Sequence, residues 1–245
     1  MENTGFYDKA AKFYDEMVSF ENLLRNRITS LKPFTEGRSE AADLGCGTGV
    51  DSVALTQLGL AVTAFDASEH MLQTASANAS KYASEIVFHN YSLDKIPDRF
   101  SDSADLCISL GNTLANLSEQ QLRAALSNIY KMLHSEGIFL LQILNYERII
   151  SGGERIINIK ETQDSWTVRF YDFNAEEVMF NILRFSKDNP AQRELISTPV
   201  YAHRLDTLKV MLKDAGFANT EAFGSFDRTP YDAQSSADLI ILCTK

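Results

Sequence analysis

The sequence predicts an α/β protein: a doubly wound, mostly parallel seven-stranded sheet with N-terminal helices and an inserted antiparallel β meander. Three observations predict it. Between Ala41 and Ile143, short apolar runs of strand length alternate with stretches of helical period. A glycine-rich turn, Asp43-Leu-Gly-Cys-Gly-Thr-Gly49, joins the first strand to its helix, and a second strand ends in Asp66 about 20 residues on. From Ile156 to Val200 the rhythm changes to short alternating stretches, after which the α/β pattern resumes. Strands alternating with helices imply a parallel sheet covered on both faces.

In order along the chain, Phe6 to Leu31 reads as one or two helices, with Phe13, Met17, Phe20, Leu24 and Ile28 at helical spacing. Strand 1 is expected near Ala41–Leu44 and a helix from about Asp51. Strand 2 is Ala61–Phe65, and Ser68 is placed to cap the following helix. Strands 3 and 4 are Ile86–Phe88 and Asp105–Ser109. Ser118 with Gln121 forms a capping-box pattern for a helix reaching about Leu133, and Gly137 opens strand 5, Ile138–Ile143. Ile157/Ile159, Trp166/Val168/Phe170, Val178/Phe180/Ile182 and Leu195/Ile196 supply three or four antiparallel strands. A helix, Leu205–Ala215, ends at Gly216, and strands Phe217–Phe223 and Leu239–Leu242 follow. The expected organisation is one domain over 1–245, with a helical cap over 1–34 and an inserted substrate-side subdomain over 154–203. No internal repeat or low-complexity segment interrupts it.

At 245 residues the chain is long enough to bury a full core. A hydrophobic share of 44% and a charged share of 23% are those of a soluble globular protein. The net charge of −10, without a basic run, argues against a nucleic-acid partner, whose phosphates require Lys and Arg. No leader is visible and no apolar run approaches ~20 residues, so a cytoplasmic protein without a membrane partner is expected. Cys46, Cys107 and Cys243 show neither a disulfide framework nor zinc spacing, and His70, His89, His134 and His203 form no metal-ligand pattern. No metal is expected.

The glycine spacing selects the ligand. A pyrophosphate site uses Gly-x-Gly-x-x-Gly, whereas this turn reads Gly45-x-Gly47-x-Gly49 behind Asp43. An acid there repels a pyrophosphate and suits an ammonium, and Asp66 is placed to accept both hydroxyls of a ribose. The implied ligand is an adenosine carrying an amino acid. The pattern resembles motif I of the class I S-adenosylmethionine-dependent methyltransferases, which implies a Rossmann-like methyltransferase fold and S-adenosylmethionine as cofactor. The likeness extends to Asp66-Ala-Ser68 with Met71-Leu72, to Leu110-Gly-Asn-Thr113 with Ala115 and Leu117, and to Asn145-Tyr146. Together these are similar to the glycine N-methyltransferase group, most clearly from about Glu40 to Gly153.

The resemblance implies residue roles. Asp66 holds the ribose, flanked by Ala67 and Met71. Asn90 bonds the adenine amine and Tyr91 stacks on the ring. Asp43, Gly45, Cys46 and Gly47 form the turn, and Leu110 meets the methionine part. In the family an Arg-x-Arg pair binds the methionine carboxylate; Arg25-Asn26-Arg27 matches it, placing Arg27 there. Tyr7, with Tyr14, is a candidate for a lid from the N-terminal helices, core packing being the other reading. Candidate substrate or catalytic residues are Asn112 and Tyr146, on the loops after strands 4 and 5, and Tyr201 and His203, where the insertion rejoins the sheet.

One position departs from the family. Its glycine-specific enzymes carry an Arg before the Asn-Tyr pair, and this chain has Leu144. A leucine cannot make the bidentate contact that carboxylate recognition favours. Glycine is therefore expected to be a poor substrate, with Arg148, Arg155 and Arg204 as candidate replacements for the clamp. The stretch Leu110-Gly-Asn-Thr113 lacks the Asn/Asp-Pro-Pro-aromatic motif of nucleic-acid amino-methyltransferases and points to a small-molecule acceptor. The expected reaction is N-methylation of an amine. O-methylation of a carboxylate or phenol, and a non-catalytic S-adenosylmethionine-binding regulator, remain the alternatives; a nicotinamide oxidoreductase would need the wider glycine spacing.

Overall fold

The computed structural model describes residues 5–6, 19–153, 155–173 and 178–245. Six α-helices lie wholly within the described residues: α1 (Phe20–Thr35), α2 (Val50–Gln57), α3 (Glu69–Lys81), α4 (Glu119–Met132), α5 (Tyr146–Gly152) and α6 (Leu205–Ala215). Seven strands form one sheet: β1 (Glu40–Leu44), β2 (Ala61–Asp66), β3 (Ile86–Asn90), β4 (Ala104–Ser109), β5 (Leu133–Leu144), β10 (Ala218–Phe223) and β11 (Asp238–Thr244). Their spatial order is β10-β11-β5-β4-β1-β2-β3. Pairs from β5 to β3 are parallel, while β11 is antiparallel to both β5 and β10. The order reverses between β1 and β4, which opens a crevice at their carboxyl ends, where ligands bind in such sheets.

Both faces are dry because alternate strand residues point to opposite sides. Leu44, Cys107, Phe139 and Leu141 pack under Leu122, Leu126 and Ile129 of α4 and Leu208 and Leu212 of α6. Ala41, Leu106, Ile108 and Leu140 pack under Leu31 and Phe34 of α1 and Val53 and Leu55 of α2. The predicted caps form: Ser68 accepts from the Met71 amide, Ser118 and Gln121 close a reciprocal box, and Gly216 ends α6 at φ 108°. The second sheet is antiparallel throughout, β6 (Ile156–Glu161), β7 (Ser165–Phe173), β8 (Val178–Ser186) and β9 (Arg193–Val200), in that order. Its inner face presents Tyr171, Val178 and Val200 to Tyr146 and Ala115.

Two expectations are corrected. Strand β5 begins at Leu133, directly after α4, because Ala104 pairs with Leu133 and a bulge carries residues 134–137 before pairing resumes at Leu106–Ile138. Gly137 thus lies inside the strand rather than opening it. Tyr146 starts a helix instead of lying on a loop, since the Asn145 side chain accepts the Arg148 amide as an N-cap. Phe13, Tyr14 and Met17 lie outside the described residues, as does Tyr7.

Candidate active site

A cavity of about 420 Å³ opens at the carboxyl ends of β1, β2 and β4, within the range of small-molecule sites. Its floor is the turn after β1. The amides of Gly45 and Cys46 both donate to the Phe65 carbonyl, at 2.8 and 3.0 Å, which ties the turn to β2. The glycines divide the work. A Cβ on Gly45 would overlap the Thr113 side chain, so that glycine admits the loop after β4. A Cβ on Gly47 would meet nothing within 4 Å, and Gly47 lines the cavity at φ 53°. Bare backbone therefore faces the ligand space at Gly47, and left-handed geometry favours glycine there.

Asp66 ends β2 with both carboxylate oxygens aimed by backbone. Oδ2 accepts from the Gly47 amide at 2.9 Å and Oδ1 from the Ser68 amide at 2.8 Å. Beside it, Asn90 donates its side-chain amide to the Asp66 carbonyl at 3.0 Å. Tyr91 carries Arg99 at its edge: Nη2 donates to the hydroxyl at 2.9 Å and the guanidinium lies 5.6 Å from the ring centre. Ala67, Met71, Asn90, Tyr91 and Leu110 all line the cavity with Asp66.

The charged end lies between α1 and α2. Arg27 lines the cavity, and its Nε lies 2.8 Å from Asp51 Oδ1, close as an ion pair but off the line of a hydrogen bond. Its guanidinium also sits 5.1 Å from the Phe226 ring centre. Burial raises the Asp51 carboxyl above its ordinary range, opposed by Arg27. Asp43 does not line the cavity. It is 1% exposed at the end of β1 and accepts from Ser52 Oγ at 2.5 Å. Burial first, then the neighbouring Asp51, pushes Asp43 up to about 8. Burial raises the Cys46 thiol well above its ordinary value, with Asp43 adding to the effect, so Cys46 is a wall and not a nucleophile.

These residues fit an adenosine bearing an amino acid: an oriented carboxylate, an aromatic ring, a bare-backbone turn, and an arginine beside buried acids. Residues 41–137 match the family described as a methyltransferase domain. Residues 41–137 thus carry a methyltransferase domain of the S-adenosylmethionine-dependent kind. Human glycine N-methyltransferase is 34% identical over 131 residues, covering 48% of this chain and 44% of the human protein. The chain thus aligns with less than half of that relative's length. A glycine/sarcosine N-methyltransferase of Aphanothece halophytica is 25% identical over 234 residues, 92% of this chain and 83% of its own. The solved CcbJ methyltransferase of Streptomyces caelestis shares the fold at a TM-score of 0.82 and 19% identity, covering 99% and 98% of the two chains. The cofactor of this methyltransferase is S-adenosylmethionine.

The four candidate substrate residues all lie outside the cavity lining. Asn112, left-handed at φ 70°, donates to the Tyr146 hydroxyl at 2.8 Å and accepts the Leu144 amide at 2.9 Å, joining the ends of β4 and β5. Tyr146 is 1% exposed, with its ring edge-on to Tyr171. Tyr201 is exposed, and its amide bonds the Ala115 carbonyl at 2.7 Å. His203 is buried with Nε2 at 2.9 Å from the Leu117 carbonyl. Burial lowers its pKa, partly offset by hydrogen bonding to the Leu117 and Leu114 carbonyls, so the ring is a neutral N–H donor at pH 7. Together they brace the turn Thr113–Asn116, whose Thr113 and Asn116 do line the cavity.

Leu144 packs against the cluster of Tyr146, Tyr171, Val178 and Val200. Arg155 is committed to Asp172 and to the Tyr171 carbonyl, and Arg204 is exposed at the start of α6. Arg148 buries its Nε without a hydrogen-bond partner, and burial raises the Asp238 carboxyl against the opposing charge of Arg148. The sequence did not single out Asp51, Lys95, Asn116 or Gln121 as cavity residues. Nor did it reveal Gln142, which accepts from the Gly111 amide at 2.7 Å and donates to Asp238 at 2.8 Å. Only Asp51 had a local signal, an acid in the first turn after the glycines; the others are assembled by strand order.

Proposed function

We propose that this methyltransferase transfers a methyl group to the nitrogen of a small-molecule amine, and that glycine is a poor acceptor. The observation that carries the reading is Leu144, which puts an apolar side chain where a carboxylate clamp would stand, within an enzyme whose relatives are N-methyltransferases. When bound, the cofactor supplies an already activated methyl group, so the chain's task is positioning, worth ~7–11 kcal/mol when donor and acceptor are aligned. Asp66 accepts the ribose hydroxyls, Asn90 and Tyr91 hold the adenine, and Arg27 takes the amino-acid carboxylate, exchanging its contact with Asp51. Met71, Leu110 and the Gly45–Gly47 turn shape the wall between them, with Asp43 supporting the turn from behind.

Asn112 and Tyr146 fix the loops that the acceptor meets, and His203 and Tyr201 fasten the insertion over them. The segment 154–203 thereby acts as the substrate-side subdomain, and within the expected cap 1–34 helix α1 covers the cofactor through Phe20, Leu23 and Arg27. An amine that binds unprotonated needs no general base. The test is methyl transfer to a panel of amines, carboxylic acids, phenols and glycine. An amine as best acceptor is expected. Glycine matching the best acceptor overturns the specificity, and no turnover of any acceptor favours a non-catalytic cofactor-binding regulator.

A further inference from the structure

The second sheet has an inner face, which packs on Tyr146 and Ala115, and an outer one. Alternation assigns them: Thr167, Ile182 and Ile196 are buried inward, and their neighbours Val168, Leu183 and Leu195 point outward. Register places Ile159, Val168, Leu183 and Leu195 side by side across all four strands. The two ends of that row, Ile159 and Leu195, are each 57% exposed. One step along the strands lies a parallel row, Glu161, Trp166, Phe185 and Arg193, apolar in the middle and oppositely charged at its two ends. An apolar row across a whole sheet, open to water, marks an interaction surface.

We infer that this outer face binds a second copy of the chain, face to face about a two-fold axis parallel to the strands. That operation lays β6 of one copy over β9 of the other at the same level. The apolar row Ile159–Leu195 then meets its own reverse, and Glu161 meets Arg193 at both ends of the neighbouring row. A contact in which one patch is complementary to itself is the requirement for a closed two-fold dimer. Glu161 also pairs with Lys187 within its own chain at 2.6 Å, yet its side chain stays 54% exposed and open to a second cation. Four strands about 4.8 Å apart and two rows about 6.8 Å apart give the patch a footprint of roughly 20 Å by 14 Å. That is below the size of standard specific interfaces, so the dimer is weak, reversible and concentration-dependent.

Sedimentation velocity on the whole chain over a dilution series tests this. The wild type should shift from monomer to dimer with rising concentration, and Leu195→Lys should remain monomeric while keeping its circular dichroism and S-adenosylhomocysteine affinity. Glu161→Arg and Arg193→Glu should each weaken the dimer about tenfold, and the double exchange should recover most of the loss. Recovery by the double exchange decides the matter even where Leu195→Lys fails to fold. A wild type monomeric throughout, a dimer indifferent to these substitutions, or a face that takes up only a foreign protein or a lipid vesicle overturns the inference.

Discussion

At Asp66, two backbone amides fix the carboxylate, so in the proposed reading ribose hydroxyls meet it with no reorganisation. Charge-assisted bonds of this kind are worth roughly 1.5–3 kcal/mol each. Asp66→Ala should therefore weaken S-adenosylhomocysteine binding at least tenfold by isothermal titration; unchanged affinity in a folded variant removes Asp66 from the site. Asp43 gives a second residue-level prediction. Its folded pKa of about 8 lies above the ordinary value of 3.8, so its contribution to stability is fully present below the lower value and is lost as pH rises through the upper. Asp43→Asn, which cannot ionise, should gain on the wild type in melting temperature as pH rises from 5 to 8 without ligand. A difference that does not change with pH would show that Asp43 titrates normally. Motif spacing made Asp43 and Asp66 legible in the sequence. The contact of Arg27 with Asp51 and the span from Gly111 through Gln142 to Asp238 were not, because each joins elements that meet only after the sheet is ordered.

At the scale of elements, the strand–helix alternation, both caps and the change of rhythm at Ile156 were readable, since each rests on local pattern. The bulge at residues 134–137 was not, because its register is set by pairing with β4. Helix α5 is short, and its anchor is tertiary. Asn145 is 1% exposed; its amide donates to the Ala233 and Ser236 carbonyls at 2.9 Å each, and its Oδ1 accepts from Arg148 N and Tyr231 Oη. Asn145→Ala leaves several buried groups unpaired, and a loss of about 3 kcal/mol corresponds to a melting temperature lower by roughly 6–12 °C. Calorimetry showing a shift under 2 °C would contradict this anchoring role. Leu144, one residue earlier, ends β5 and packs in the apolar cluster beside Tyr146. Leu144→Arg inserts a cation into an apolar cluster, so activity toward an apolar or cationic amine should fall, and activity toward a small carboxylate should hold or rise. The opposite ordering of the two substrate types would separate Leu144 from acceptor choice.

For the molecule as a whole, the sheet reversal between β1 and β4 opens the crevice at the carboxyl ends of the strands, and the inserted sheet packs on Tyr146 and Ala115. The two parts carry different information. The crevice holds the motif shared with relatives, whereas in the proposed reading acceptor choice depends on where β9 and α5 bring their side chains. This is why the cofactor could be read from the sequence and the acceptor only as a class. The most direct measurement is transfer of a labelled methyl group from S-adenosylmethionine to the acceptor panel, with the labelled atom located by mass spectrometry. The account predicts label on the nitrogen of an amine other than glycine. Label on oxygen or carbon, or glycine as the best acceptor, would contradict it.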